Sequence, residues 1–144
     1  MTMLSAEKVL LNAKVKDKRE AIELAGQLLV KSDHVSAEYV AKMHEREEEL
    51  STWIGNGVAI PHGTADSKAY IHSTGISVVQ IPDGVDFGNG NTAYLLFGIA
   101  AKGDDHLNIL ARLALLCSDE ESVKKMVAFN NADALISFIG GDEA

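Results

Sequence analysis

The spacing of apolar residues divides the chain into a helical first third, a strand-rich middle and a helical end. Ile22, Ala25, Leu28 and Leu29 recur at helical intervals behind Asp17 and Glu20, whose separation forms a capping-box pattern, so a helix begins at Asp17. Ser36 stands as a cap before Tyr39, Val40 and Met43, which share one face of a second helix ending in the charged run His44 to Glu49. Val9 to Asn12 is a short apolar run that predicts a strand. Residues 50–64 read as loop, a short strand at Val58-Ala59-Ile60, then loop. Thr74 to Ile81 and Ala93 to Ala101 are rich in β-branched, leucine and aromatic residues without strict alternation, the pattern of strands covered on both faces.

Pro82-Asp83-Gly84 and the run Gly88 to Asn91 are turn signals between those strands. In the last third, Asp104 or Asp105 caps a helix with Leu107, Leu110, Leu113 and either Leu116 or Cys117 on its core face and Ile109 beside them. Ser118 and Glu121 form a second capping-box pattern leading into Val123, Met126 and Val127. A final helix runs from Asn131 through Leu135, Ile136 and Ile139 and stops at Gly140-Gly141. Helices on either side of a strand-rich centre predict an α/β layered sandwich, with helices on both faces of the sheet. No repeat or Pro- or Ser-rich linker interrupts the pattern, so residues 1–144 are expected to form one domain.

Composition narrows the function. The chain has 144 residues, 13 Lys plus Arg against 21 Asp plus Glu, and a net charge of −8, which opposes attraction of the whole domain to nucleic acid or acidic lipid. The longest apolar stretch is about half the roughly 18 residues of a membrane span, so direct membrane insertion is not expected. The lone Cys117 has no internal disulfide partner, and the start MTMLSAEKVL lacks the layout of a secretory signal, so the expected location is cytoplasmic. Any anion must be held by local groups working against the global charge.

The histidines carry the candidate chemistry. His34, His44 and His72 lie on or beside polar segments and read as solvated. His62 lies between Pro61 and Gly63 directly after the Val58 to Ile60 run, where a stiff strand end delivers the ring into a loop and a glycine allows close approach. It reads equally as a reactive side chain or as a turn histidine satisfying a backbone carbonyl. His106 falls in the first turn of a predicted helix, where the dipole disfavours an imidazolium and backbone N–H groups favour an anion; the alternative is an incidental exposed residue. No CxxC or close histidine pair points to zinc, no GxSxG to a serine hydrolase, and no phosphate-binding glycine loop to a nucleotide. A third chemistry is a histidine that itself carries a phosphoryl group, with Arg46, Thr64 and the turn bearing His106 supplying hydrogen-bond donors that hold the phosphate. Cys117 sits on a Leu-rich helix face and is expected to be buried packing, and the run Glu45 to Glu49 to be solvated apart from Arg46.

Arg46-Glu47 followed by Ser51 to Thr64 (STWIGNGVAIPHGT) closely resembles the active-site segment of enzyme IIA domains of the fructose–mannitol class of the bacterial phosphoenolpyruvate-dependent sugar phosphotransferase system. The likeness extends through Ile81 to Gly88, Gly98 to Ala101, Asp105-His106-Leu107 and Asp119 to Val123, and these segments are more similar to mannitol-type members, including the cryptic mannitol type, than to the nitrogen-regulatory branch. It implies a mixed sheet flanked by helices, the phosphotransferase/anion transport protein-like fold. It also implies that His62 is phosphorylated by the phosphohistidine of HPr and passes the group to a cysteine of an enzyme IIB domain, with Arg46 and His106 steadying the transferred group. Such a scheme requires no metal and no cofactor, because the donor is already a high-energy phosphoramidate. Where some mannitol-type members carry a charged residue, this chain has Asn56.

Successive docking of two partner proteins leads to an expected apolar ring around His62, with Trp53, Ile60, Phe87 and Ile109 as candidates. Two other readings stand beside the carrier: a regulatory relative that signals by its phosphorylation state, and a non-catalytic binding module. With only Asp142-Glu143-Ala144 after Gly141, the chain is expected to be a stand-alone subunit.

Overall fold

The computed structural model describes residues 4–140. Asp17 caps the first helix as its spacing predicts: its carboxylate accepts the Glu20 N–H at 2.9 Å, Glu20 accepts the Lys16 N–H at 2.9 Å, and α1 runs Lys18–Lys31. The second helix, α2, spans Glu38–Glu49, and Ser36 contributes its carbonyl rather than its hydroxyl, accepting the Tyr39 N–H at 3.0 Å.

Five strands form one mixed sheet in the order β1-β4-β5-β3-β2, where β1 is Val9–Leu10, β2 Trp53–Gly55, β3 Val58–Ala59, β4 Gly75–Asp86 and β5 Thr92–Ala100. β1 runs parallel to β4 and β3 parallel to β5, while the β4/β5 and β2/β3 pairs are antiparallel. The mixed sheet that the family resemblance implies is therefore present. β2 replaces part of an expected loop: Gly55, Asn56 and Gly57, all at positive φ, make the hairpin that folds it back on β3. Pro82-Asp83-Gly84 does not end its strand. Pro82 cannot donate to the ladder, and the register slips between Gln80 and Val85, but pairing resumes at Val85 with Ala93 and β4 continues. The chain reverses at Gly88 to Asn91, where the Asn91 N–H donates to the Gly88 carbonyl.

Alternation sorts the central strands between two apolar layers. Val79, Ile81, Leu96 and Ala100 pack with Ile22, Ala25 and Leu29 of α1 and Met43 of α2. Ile76, Val78, Leu95, Phe97 and Ile99 pack with α3 (Asp105–Cys117), α4 (Glu120–Ala128) and α5 (Ala132–Ile139). Because both faces are covered, these strands read as continuous apolar runs in the sequence. Gln80, buried between the sheet and α4, donates to the Met126 and Phe129 carbonyls at 3.0 and 2.8 Å.

Several expectations change. The buried stripe of α3 is Ile109, Leu113 and Cys117, spaced i, i+4, i+8; Leu107 lies off that line and is 71% exposed. Ser118 closes α3 by donating to the Leu115 carbonyl at 2.7 Å, and the N-cap of α4 is Asp119. α5 behaves as read, with the Asn131 side chain accepting the Ala134 N–H and Gly140 in the left-handed region; Gly141 and the chain end lie outside the described residues. His34 and His44 are buried rather than solvated. His34 is held between Lys8 Nζ at 2.6 Å and Ser73 Oγ at 2.9 Å, and His44 Nε2 meets Glu23 at 2.9 Å; His72 is exposed beside Asp33. Polar flanks conceal such positions: the burial of His44 depends on which way α2 is turned, and that of His34 on the path of the chain between α1 and α2. Among the described residues no helix is long and apolar enough to cross a membrane.

Candidate functional site

β3 ends at Ala59 and delivers Ile60, Pro61 and His62 along the edge of β5, where His62 forms a parallel bridge with Ile99 and the Ile99 N–H donates to the Pro61 carbonyl at 2.9 Å. Ile60 is held in turn by donating its N–H to the Thr52 carbonyl at 3.0 Å. The His62 ring bonds the Ile60 carbonyl through Nδ1 at 2.8 Å. A carbonyl only accepts, so Nδ1 carries the proton and the lone pair of the neutral ring lies on Nε2. The two readings of His62 thus coexist: it satisfies a backbone carbonyl, and doing so sets its tautomer.

His62 lines an open cleft of about 500 Å³ together with Tyr39, Arg46, Thr64, Lys68, His106 and Leu107. The start of α3 brings the His106 ring to 5.1 Å from that of His62, centroid to centroid, at an interplanar angle of 63°. Arg46 arrives from the last turn of α2, its Nη1 donating to the Leu50 carbonyl at 2.5 Å. Residues far apart in sequence, Arg46, His62 and His106, are therefore gathered in one concavity. Thr64 lines it too, but its hydroxyl donates to the Asp66 carboxylate and in this arrangement is not free to donate to a phosphate.

Burial is the largest influence on both rings and lowers their proton affinity. For His62 the charges of His106 and Arg46 act in the same direction, against the opposing Ile60 hydrogen bond; for His106 the charges of Lys68 and Arg46 add to burial. Both rings are therefore held in the neutral form at neutral pH. A neutral Nε2 nucleophile beside a guanidinium, an ammonium and a second imidazole suits a tetrahedral dianion. Among the described residues no cluster of three or more potential metal ligands occurs.

Gly63 serves a different purpose from the one its neighbours imply. A Cβ there would fall 2.5 Å from Ser67 Oγ and 2.6 Å from Tyr39 Cε1, so the missing side chain admits the chain's own residues rather than a visitor. Glu47, expected to be solvated, is buried: its carboxylate accepts the Thr52 N–H at 3.0 Å and hydroxyl at 2.6 Å and meets Lys18 Nζ at 3.4 Å. That contact ties the end of α2 to the start of β2, and β2 in turn to Ile60. Cys117 is buried as expected, its thiol pushed up to about 11 by burial, and its carbonyl accepts from Asn56 Nδ2 at 2.9 Å.

The apolar ring needs correction. Phe87 is 2% exposed and Ile60 and Ile109 are buried, all within the two cores, while Trp53 is half-buried with its indole N–H donating to the Thr92 carbonyl. The apolar surface beside the site is instead Leu107, next to His106, together with the exposed Leu50 beside Arg46. Lys68 was also missed by sequence reasoning. It lies in a 3-10 turn, Ala65–Tyr70, which carries no strong apolar period, and only the turn's path brings it to the cleft.

A covered mixed sheet with a tautomer-fixed histidine over a cation-lined cleft is the layout of a phosphoryl-transfer protein. Comparison with known proteins gives that class a family. Residues 2–141 match the model described as "Phosphoenolpyruvate-dependent sugar phosphotransferase system, EIIA 2". The chain is 48% identical over 139 residues to the mannitol-specific phosphotransferase enzyme IIA component of Geobacillus stearothermophilus, covering 96% of each chain. It is 46% identical over 137 residues to the component of the same name from Bacillus subtilis strain 168, covering 95% of this chain and 96% of that one. Among solved structures, the Escherichia coli complex of enzyme IIAMTL and phosphorylated enzyme IIBMTL matches with a TM-score of 0.90 at 34% identity, over 96% of this chain and 97% of the other. The chain belongs to the EIIA 2 family of the phosphoenolpyruvate-dependent sugar phosphotransferase system and is a phosphotransferase component.

Proposed function

We propose that this chain is the IIA phosphocarrier of a mannitol-type uptake system, working in the cytoplasm between HPr and an enzyme IIB domain. The supporting observation is the His62 Nδ1–H bond to the Ile60 carbonyl, which leaves the lone pair on Nε2 in a cleft lined by Arg46, His106 and Lys68. In the first step Nε2 attacks the phosphorus of phospho-HPr, the N–P bond of the donor breaks, and its electron pair returns to the HPr imidazole. Arg46, His106 and Lys68 offset the charge on the equatorial oxygens of an in-line transition state. In the second step a IIB cysteine thiolate attacks the same phosphorus, and the pair of the breaking P–N bond returns to Nε2. The relative solved with phosphorylated IIBMTL supports the choice of acceptor, and the mannitol-specific names of the bacillary relatives support the sugar system.

Incubation with phosphoenolpyruvate, enzyme I and HPr, followed by addition of the IIB domain, tests the reading. Acid-labile phosphate on His62 that passes on to IIB is expected. Uptake without onward transfer would replace the carrier with a regulator, and no uptake would leave a binding module.

A further inference from the structure

Tyr39, in the first turn of α2, has no direct role in the transfer of the phosphoryl group, yet its buried hydroxyl joins the backbone just after the nucleophile to the strand that pairs with it. It accepts the Gly63 N–H at 2.8 Å and donates to the Ile99 carbonyl at 2.8 Å. Ile99 also holds the residue before His62, through its N–H to the Pro61 carbonyl. In a regular parallel ladder the second bond of the His62–Ile99 bridge would run straight from the Gly63 N–H to the Ile99 carbonyl. Here the phenol oxygen takes the one proton and supplies the other. The hydroxyl stays protonated throughout the physiological range, its pKa pushed up to about 12 by burial, so both bonds persist. The ring side of Tyr39 is equally engaged, since the space a Gly63 side chain would need is filled by Tyr39 Cε1 and Ser67 Oγ.

We propose that Tyr39 is a positioning residue for phosphoryl transfer: its hydroxyl, set between Gly63 and Ile99, fixes the His62–Gly63 peptide and so aims the His62 ring. The inference rests on His62 being the phosphoryl acceptor. With Gly63 N–H committed to the phenol, the phosphoryl group is held by the side chains of the cleft, and their geometry relative to Nε2 decides the rate. Loss of the hydroxyl lets the loop either close directly onto Ile99 or leave Gly63 N–H unpaired, and each outcome turns the imidazole away from Arg46 and His106. Misplacement of a nucleophile on this scale lowers the maximal rate while leaving docking intact.

The test compares Tyr39→Phe with Gln80→Leu, a variant that removes three side-chain hydrogen bonds away from the cleft, to the Met126 and Phe129 carbonyls and from the Asn12 N–H, in single-turnover transfer from phospho-HPr well below the melting temperature. Tyr39→Phe is expected to lose about tenfold or more in maximal rate with KM for phospho-HPr changed by less than about twofold, and Gln80→Leu to transfer within about twofold of the parent. Nitrogen-15 spectra of the folded proteins should show His62 losing its fixed Nδ1–H tautomer in Tyr39→Phe alone. Gly63→Ala, which keeps the hydroxyl but pushes the loop off the phenol, should reproduce the rate loss if Tyr39→Phe folds poorly. Parent-like rate and tautomer in Tyr39→Phe would overturn the proposal, as would an equal rate loss in Gln80→Leu. No label on the parent chain would instead overturn the phosphoryl reading of His62, while the tautomer spectra would still report whether Tyr39 aims the ring.

Discussion

Two histidines in this protein share a depressed proton affinity and little else. His34 is buried in the interior with both ring nitrogens occupied, Nε2 by Lys8 and Nδ1 by Ser73; burial and then the Lys8 charge lower its pKa. His62 is also lowered by burial first, but only its Nδ1 is committed to the protein's backbone, and its ring opens on a cleft with Arg46, Lys68 and His106. Perturbed titration alone therefore does not separate a structural imidazole from a reactive one. The separation comes from where the lone pair goes: into a protein donor in one case, into a cavity lined by cations in the other.

The sharpest way to break that contrast is to remove each ring. His62→Ala is expected to abolish phosphoryl uptake from phospho-HPr with the fold retained by circular dichroism. His34→Ala should keep uptake while losing about 1–3 kcal/mol in denaturant unfolding, because Lys8 and Ser73 lose a buried partner. Label on the first variant, or none on a folded second one, would erase the distinction. Next in size, His106→Ala should slow single-turnover transfer by about 10²–10³-fold, the scale for losing one preorganised group at developing charge.

Acidification tests what the two sites share. His34, His62 and His106 bind protons less readily in the folded chain than at the ordinary imidazole value of 6.5. As pH falls below that value the unfolded chain takes up protons that the folded chain refuses. Stability present above pH 6.5 is thus lost down to the lowered folded values, with a slope of at most about 1.4 kcal/mol per pH unit for each group. His62, staying neutral, should keep accepting phosphoryl groups below 6.5, which a pH–rate profile on the folded protein would check. The smallest effect is expected at the rim: Leu107→Ser should raise KM for phospho-HPr by about threefold to tenfold, the weight of one exposed apolar contact, with the melting temperature unchanged.

Local chemistry was readable along the chain. Asp17 and Glu20 cap α1, and Asn131 and Gly140 bound α5, because these interactions close within a few residues. Doubly covered β4 and β5 announced themselves by their apolar runs, and the Pro61-His62-Gly63 segment pointed to the histidine that lines the cleft. Where a residue's fate depends on the rotation of its helix, the sequence pattern misleads: Leu107 reads as core and is exposed, and Glu47 reads as solvated and is buried. Phe87, just past the end of β4, reads as a docking contact and lies in the core, because its burial depends on how the chain leaves the sheet. β2 was hidden because three residues carry too little periodicity to separate strand from loop.

From its sequence alone the protein had its helix caps, its two covered strands, its net charge of −8 and a family-specific segment around His62. Tertiary structure decided which nitrogen of His62 holds the proton, that Tyr39 stands between Gly63 and Ile99, and that Arg46, Lys68 and His106 meet in one cleft. The physical reason is range: caps and alternation act between neighbours in the chain. The tautomer and the cleft depend on contacts between α2, the β3 end, the 3-10 turn and α3, which exist only once both faces of the sheet are covered.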